Sequence, residues 1–516
     1  MGKENVSGSL IKAYFVFLFT ALAWVYWPSF FYPPRSDNWA AFYNFYRIDA
    51  LAQPDKWKYL IMYDPLINTT FRPLSFFIPY FEHHLFGLNF VYGHMINFGL
   101  YFLSIILLYK LAGYFCKDKI LTISFLTVFA FLFSHFDLVA WEFHAHIILS
   151  FCLFLSGFIL YIHYLKSAQK TLLFLIVACF LSAMLLYEVY LLWPLATIIL
   201  SYLIGRDKNG VVKSNQRRKP YLMIIGATYF IYFCLFLLNC SFRAAYGPGL
   251  SLSPLFSLSN IVRNFFAFFS NIFLINFLVN LLPFLAFPLR IDENLNLGGF
   301  INKYSFNQDK VIFLIGGVTI LILFCGALYL FKRRRFDIIK VSFFFAFLLF
   351  SELFILFHVK SIINPYPYNF MQFRFQYVPN AFFILIALFI FENILKTLKA
   401  KKWIALSLLS IVLIVNIQAT CRGISLLKDQ LTPLQKLLYN IKEGINDGRI
   451  NKENKLFLDD RLALRFPPLC WNQEMGKRCM RGTYQWVFSK QEIEYFSPDE
   501  DARWVIDDKE LKVLQK

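Results

Sequence analysis

The stretch IKAYFVFLFTALAWVYWPSFFY, residues 11–32, decides the fold class, because it is apolar along its whole length and carries a single charge near its start. About 20 apolar residues in a helix are enough to cross the hydrocarbon core of a bilayer. No small-residue cleavage site follows the run after residue 28, so we expect it to be retained as a first span and not removed as a signal peptide.

Runs of the same kind recur along the chain. Of its 516 residues, 58% are hydrophobic and only 16% are charged, and the mean hydropathy is +0.53. A soluble protein of this length could not bury so much apolar surface, and the runs are continuous, which excludes a β-barrel. The sequence predicts an all-α polytopic membrane protein with about 11 transmembrane helices. The predicted spans are 10–28, 92–114, 119–134, 143–165, 170–187, 189–205, 220–239, 311–331, 338–357, 378–396 and 402–420.

The net charge of +19 comes largely from short basic loops between the apolar runs. Such loops are typical of the cytoplasmic side of a membrane protein, so we interpret the charge as a topology signal and expect no nucleic-acid partner. The basic loops are 117–119, 166–170, 205–219, 332–340 and 396–402. All five fall on one side if the N-terminus is cytoplasmic.

The same topology places a large first outer loop, 29–91, and the polar tail on the non-cytoplasmic side. It requires 261–290 to be a broken or re-entrant segment, which Pro283 and Pro288 favour. A single crossing there is the alternative, and it would move the basic loop at 332–340 to the other side. We therefore predict a transmembrane domain over 1–420 and a small soluble extracytoplasmic domain over 421–516.

Acidic and aromatic residues mark the first outer loop. It contains the stretch SDNWAAFYNFYRIDA at 36–50 and the amphipathic stretch FRPLSFFIPYFEHHLFGL at 71–88, which we expect to lie along the membrane surface. Asp37 comes only a few residues after an apolar helix. A loop or helix-capping role and a catalytic role are both open for this carboxylate.

These stretches resemble the GT-C membrane glycosyltransferases. The similarity is closest to the transmembrane O-mannosyltransferases with tetratricopeptide repeats and to their bacterial relatives, which have an acidic pair after the first span and a later acid before a YRPL stretch. The matching residues here are Ser36 and Asp37, Asp64, the FRPL stretch at 71–74, and Gly87-Leu88-Asn89 through Tyr92-Gly93-His94.

The resemblance continues in three later stretches. LVAWEFHAH at 138–146 is similar to the family's VAW…GRAD segment, Glu188 occupies the acidic position of its KE helix start, and QFRFQYVP at 372–379 is similar to ERYLYLP. Several positions depart from the family. Ser36 replaces an acid, Tyr187 a lysine and Phe373 a glutamate, His144 and His146 stand for Arg and Asp, and no tetratricopeptide repeats follow. The family's sugar and acceptor preferences are therefore not transferred.

The resemblance implies a glycosyltransferase with a polyprenyl-phosphate-linked sugar donor. Its acceptor would be a hydroxyl of an extracytoplasmic protein, lipid-linked saccharide or envelope polysaccharide, and transfer would proceed with inversion. The bacterial inner membrane is the expected location, with the active site on the non-cytoplasmic face.

The implied chemistry assigns roles to particular side chains. Asp37 would act as general base and Asp64 as a second acid, although Asp64 also fits a turn before Pro65. Guanidinium groups suit phosphate oxygens, so Arg72, Arg374 and one of Arg243 or Arg263 would bind the donor phosphate. Snorkelling towards the interface is the alternative role of Arg72. Further site candidates are Glu188, Tyr377, His144 and His146.

A divalent metal ion is the one cofactor that the sequence leaves open. His135, His144 and His146 lie in a stretch that could supply ligands, but their spacing matches no known metal motif.

Two other functions remain open. An O-antigen-type ligase or polymerase with a lipid pyrophosphate donor should have a dominant arginine-rich outer loop far along the chain. A lipid or sugar transporter should have paired halves and ionisable residues in mid-membrane; Glu352 is the residue closest to that pattern.

Overall fold

The structure is a computed structural model of the chain. It describes residues 7–32, 51–62, 71–86, 90–141, 144–204, 219–246, 308–332, 336–363, 377–398 and 402–457, single residues between 45 and 49 and between 262 and 269, and the short stretches 496–497, 504–506 and 513–515.

The described part is built mainly from helices. They are α1 Gly8–Tyr26, α2 Gln53–Met62, α3 Phe77–Phe86, α4 Phe90–Ala112, α5 Lys119–Ala130, α6 Phe136–Ala140, α7 Ala145–Ser167, α8 Thr171–Leu186, α9 Ala196–Ile204, α10 Lys219–Tyr246, α11 Gln308–Lys332, α12 Phe336–Ile363, α13 Tyr377–Leu398 and α14 Lys402–Asn446. Short 3₁₀ turns extend α1 from Trp27 to Phe31 and connect α8 to α9 at Glu188–Tyr190 and Trp193–Leu195.

Six helices among the described residues are long and apolar enough to cross a membrane, which supports an integral membrane protein. They are Gly8–Phe31, Phe90–Ala112, Ala145–Ser167, Pro220–Cys240, Tyr377–Leu395 and Leu406–Asp429. Each of the eleven predicted spans coincides with at least part of a helix, but the count of eleven is not confirmed. The segments 171–186 and 188–204 are shorter than a full span, and most of 261–290 lies outside the described residues.

The predicted span 119–134 is bent. Helix α5 and the segment Phe133–Ala140 meet at an angle of 54°, so together they form a broken span or a re-entrant loop. The side chain of Asn97, buried on α4, holds the bent segment by donating hydrogen bonds to the carbonyl oxygens of Leu138, Val139 and Trp141 at 2.8, 3.0 and 3.2 Å. These bonds satisfy backbone carbonyls that a helix would otherwise pair internally.

Aromatic side chains fill the core between α7 and α8. Phe180 on α8 is fully buried and stacks on Phe154 of α7, with ring centroids 5.2 Å apart. Gly157 lets the two helices approach, because a Cβ atom there would lie 2.5 Å from the Phe180 ring. Small residues allow such close contacts between membrane helices.

Helix α14 is 45 residues long and continues across the predicted domain boundary at 420. It ends near Gly448, whose φ of 77° is the left-handed conformation that glycine adopts readily. A small sheet follows, with the strands β1 Leu456–Phe457, β2 Phe496–Ser497, β3 Trp504–Ile506 and β4 Val513–Gln515. The strand order is β2-β1-β3-β4, and β3 and β4 pair antiparallel. The predicted soluble domain is not confirmed and stays a prediction.

Contacts between distant segments show which helix ends lie together. The Tyr32 hydroxyl donates to the carbonyl of Ile424 at 2.8 Å, and the Gln435 side chain donates to the carbonyl of Phe31 at 3.2 Å. The exit of α1 therefore lies beside the later half of α14. Leu74 of the first loop likewise bonds through its N–H to the carbonyl of Leu185, at the end of α8.

Candidate functional site

The FRPLS stretch at 71–75 folds into a turn against the end of α8 and the middle of α10. The backbone N–H and the hydroxyl of Ser75 both donate to the carbonyl of Arg72, at 3.0 and 2.9 Å. Phe71 packs edge-on against Tyr232 and Phe236 of α10, with centroids 5.3 and 5.6 Å apart. The turn thus places Arg72 over the beginning of the 3₁₀ turn that contains Glu188.

Arg72 and Glu188 form a buried ion pair. The guanidinium donates through Nε to Glu188 Oε2 and through Nη2 to Glu188 Oε1, the latter at 2.7 Å. Both residues are 8% exposed. Two parallel bonds of this kind fix the orientation of both groups, because the fork of the guanidinium matches the two carboxylate oxygens.

Aromatic rings enclose this pair. The Arg72 guanidinium lies over the ring of Tyr187, 4.6 Å from its centroid, which adds a cation–π contact. His146, the second residue of α7, packs edge-on against the same ring, with centroids 6.2 Å apart. We call Arg72, Glu188, Tyr187 and His146 the Arg72 cluster.

A second polar group lies deeper in the bundle. Tyr101 donates its hydroxyl to the carbonyl of Ala130 at 2.7 Å, so it accepts from His135 Nδ1, 3.0 Å away. His135 Nε2 lies 3.3 Å from Asn380 Nδ2 and accepts from it. Tyr377 packs edge-on against the His135 ring and hydrogen-bonds Ser104. Both ring nitrogens of the fully buried His135 therefore have protein partners.

The predicted metal ligands are not brought together. His135 belongs to the deep polar group, His144 packs edge-on against Trp141 with centroids 4.3 Å apart, and His146 belongs to the Arg72 cluster. Among the residues that the structure describes, these three histidines do not form a group of metal-ligating atoms, whereas Asp49, His83 and His84 do.

The structure describes some of the predicted site residues and not others. Arg72, Glu188 and His146 belong to the Arg72 cluster, and Tyr377 belongs to the deep polar group. Four predicted residues lie outside the described residues, namely Asp37, Asp64, Arg263 and Arg374. Arg243 lies in α10, and its side chain is not described.

Sequence reasoning missed four polar residues that the structure makes prominent. Tyr187 was noted only as a departure from a lysine, yet its ring stacks on Arg72. Asn97 clamps the bent segment, and an asparagine inside an apolar run is the signal that could have identified it. The pair His83-His84 at the end of an amphipathic helix is a visible signal of the same kind.

The Arg72 cluster can hold the first outer loop against one end of the helical bundle. Comparisons of this chain with protein-family models, curated proteins and solved structures give no match, so the membership of the glycosyltransferase family stays a prediction from the motifs.

Proposed function

We propose that this chain is a membrane glycosyltransferase that moves a sugar from a polyprenyl-phosphate-linked donor to a hydroxyl of an extracytoplasmic acceptor, with inversion. The bacterial inner membrane is the proposed location. The acceptor class spans proteins, lipid-linked saccharides and envelope polysaccharides.

One observation supports the proposal most directly, the ion pair between Arg72 and Glu188. These residues are 116 positions apart, and each occupies a motif position of the resemblance, one in the FRPL stretch and one at the acidic helix start. If the similarity of these two stretches to the family were accidental, there would be no reason to expect Arg72 and Glu188 to pair. The same turn belongs to the loop that contains Asp37 and Asp64, the proposed acids.

The pairing changes the role that we propose for Arg72. Its charge is compensated by Glu188 at bonding distance, so its main role is to position the first outer loop. Arg374, together with Arg243 or Arg263, then supplies the cation for the donor phosphate and stabilises the charge that develops as the lipid phosphate leaves. Asp37 takes the proton from the attacking hydroxyl, and Asp64 assists as a second acid.

The test is mass spectrometry of envelope glycans and glycoproteins from host cells with the wild-type chain, without it, and with Asp37→Asn. We expect the deletion to remove a glycan species and Asp37→Asn to fail to restore it, while the purified variant still binds the lipid donor. Asp55→Asn is the matched control, because Asp55 lies in the same loop and pairs with Lys58 on the surface. Identical glycans in all four strains would contradict the proposal.

A transporter is the second candidate, and Glu352 favours it. This residue lies within α12 and is 2% exposed, and its Oε2 atom has no hydrogen-bond partner within the described part of the chain. Ionisable residues buried between membrane helices often belong to transport pathways. Substrate flux that fails in Glu352→Gln and persists in Asp37→Asn would favour transport over transfer.

A further inference from the structure

Three potential metal ligands meet in the first outer loop. Asp49 lies in a helical turn of the loop, and His83 and His84 lie in the last turn of α3. One ligand atom from each residue lies within 4.8 Å of the other two. Two imidazoles and a carboxylate are a ligand set that zinc and similar divalent ions accept.

The hydrogen bonds of His84 orient it as a ligand. Its Nδ1 lies 2.9 Å from the carbonyl oxygen of Tyr80, which can only accept, so Nδ1 carries the hydrogen. In the neutral ring the lone pair is then on Nε2, which lies 3.5 Å from Asp49 Oδ2. Two lone pairs facing each other favour a cation between them. The distance is close to the ligand–ligand separation of roughly 3.3 Å that follows from tetrahedral zinc bonds.

One carboxylate oxygen of Asp49 contacts protein partners, and the other faces His84. Oδ1 accepts from the hydroxyl of Tyr80 at 2.6 Å and pairs with the Lys56 ammonium at 2.8 Å. Oδ2 faces His84. Hydrogen bonds to the second oxygen of a ligating carboxylate are a recurring feature of metal sites, because they hold the first oxygen in place.

His83 is held in place by an aromatic contact. Its ring stacks on Phe45, with centroids 6.2 Å apart and planes 14° from parallel. This contact fixes the imidazole beside Asp49 and His84, within the 4.8 Å that separates the three ligand atoms.

We propose that Asp49, His83 and His84 bind one zinc-class divalent ion at the surface of the first outer loop. Three protein ligands leave a coordination position for water or an anionic group, as in zinc sites that act on substrates. This site differs from the predicted histidine cluster and does not depend on the transferase activity.

The experiment uses the full chain in detergent, purified with a tag that contains no histidine and equilibrated with zinc ions. After desalting, elemental analysis should find about one zinc ion per chain in the wild type. His84→Gln should lose the ion. Tyr80→Phe keeps the aromatic packing but removes a hydrogen bond to Asp49, so we expect its zinc affinity to fall by about 10-fold or more. His163→Gln is the control, because His163 is exposed and bonds Tyr114 elsewhere on the chain.

Zinc should also raise the unfolding temperature of the wild type and of His163→Gln, but not that of His84→Gln, because a ligand stabilises the state that it binds. Cobalt in place of zinc should give a ligand-field absorption band that disappears in His84→Gln. Equal zinc content in the wild type and His84→Gln, or no retained zinc in the wild type, would overturn the proposal. If His84→Gln is unstable, Tyr80→Phe provides the test instead, and the proposal requires this variant to bind zinc more weakly than the wild type does.

Discussion

A buried guanidinium is costly unless a carboxylate and further contacts compensate it, and Arg72 has both Glu188 and the Tyr187 ring. Removing one partner leaves an uncompensated charge, whereas replacing both with apolar side chains removes the cost together with the attraction. The intact pair therefore adds little net free energy of unfolding, and its main effect is to fix the position of the first outer loop.

This pair gives a prediction at the level of single residues. Arg72→Gln and Glu188→Gln should each lower the free energy of unfolding by about 3–5 kcal/mol, and the double change Arg72→Met with Glu188→Leu should restore much of it. The measurement is denaturation of the purified chain by sodium dodecyl sulfate in mixed micelles.

The matched control is Lys58→Gln, which breaks the ion pair of Lys58 with Asp55. Both side chains of that pair are more than half exposed, so the loss should stay below about 1 kcal/mol. If the variant with both glutamine substitutions loses as much unfolding free energy as the two single variants together, Arg72 and Glu188 are not energetically coupled.

The helices could be predicted from their apolar runs because one run of sufficient length is enough to form a spanning helix. Their interruptions could not be predicted in the same way. The segment after the bend between α5 and α6 is held by Asn97 of another helix, and the 3₁₀ turn at Glu188 is held by Arg72 from the first loop. Such bonds join residues far apart in sequence, and no local pattern encodes them.

The α7–α8 contact gives a prediction for a pair of elements. Gly157→Ala would place a methyl group 2.5 Å from the ring of Phe180, which is fully buried and cannot move away freely. We expect a loss of about 1–3 kcal/mol in unfolding free energy, measured in mixed micelles.

Gly99→Ala is the matched control, since Gly99 also lies within a long helix but a Cβ there meets no atom within 4 Å. It should be neutral or slightly stabilising, because alanine has less backbone freedom to lose than glycine. Gly157→Ala combined with Phe180→Leu should recover part of the loss. Equal effects of the two glycine substitutions would show that close helix packing at Gly157 does not limit stability.

At the scale of the molecule, the contacts gather several segments at one end of the bundle. The exit of α1 meets α14 near Ile424, and the first loop meets the end of α8. Basic loops such as 166–170 connect the opposite helix ends. The charges of the loops predict that these two ends face opposite sides of the membrane, and this stays a prediction. The sequence could not predict that α14 continues past 420, because the apolar run ends there and the helix does not.

This arrangement predicts a labelling pattern. In a background without native cysteines, an impermeant maleimide should label Lys58→Cys and Lys442→Cys in intact spheroplasts. Lys170→Cys should react only after permeabilisation, because its loop carries the basic residues that stay in the cytoplasm. Labelling of Lys58→Cys and Lys170→Cys from the same side would contradict the arrangement.

The unbroken helix α14 has a mechanical consequence. Residues 430–446 continue beyond Asp429, where the apolar stretch long enough to span a membrane ends, and they extend roughly 25 Å at the usual rise of an α-helix. Pro433 lies inside this extension and has no backbone N–H to donate to the preceding turn, so it marks the point where the extension can bend relative to the span. A change in the tilt of the span would therefore reach residues 434–446 through that point.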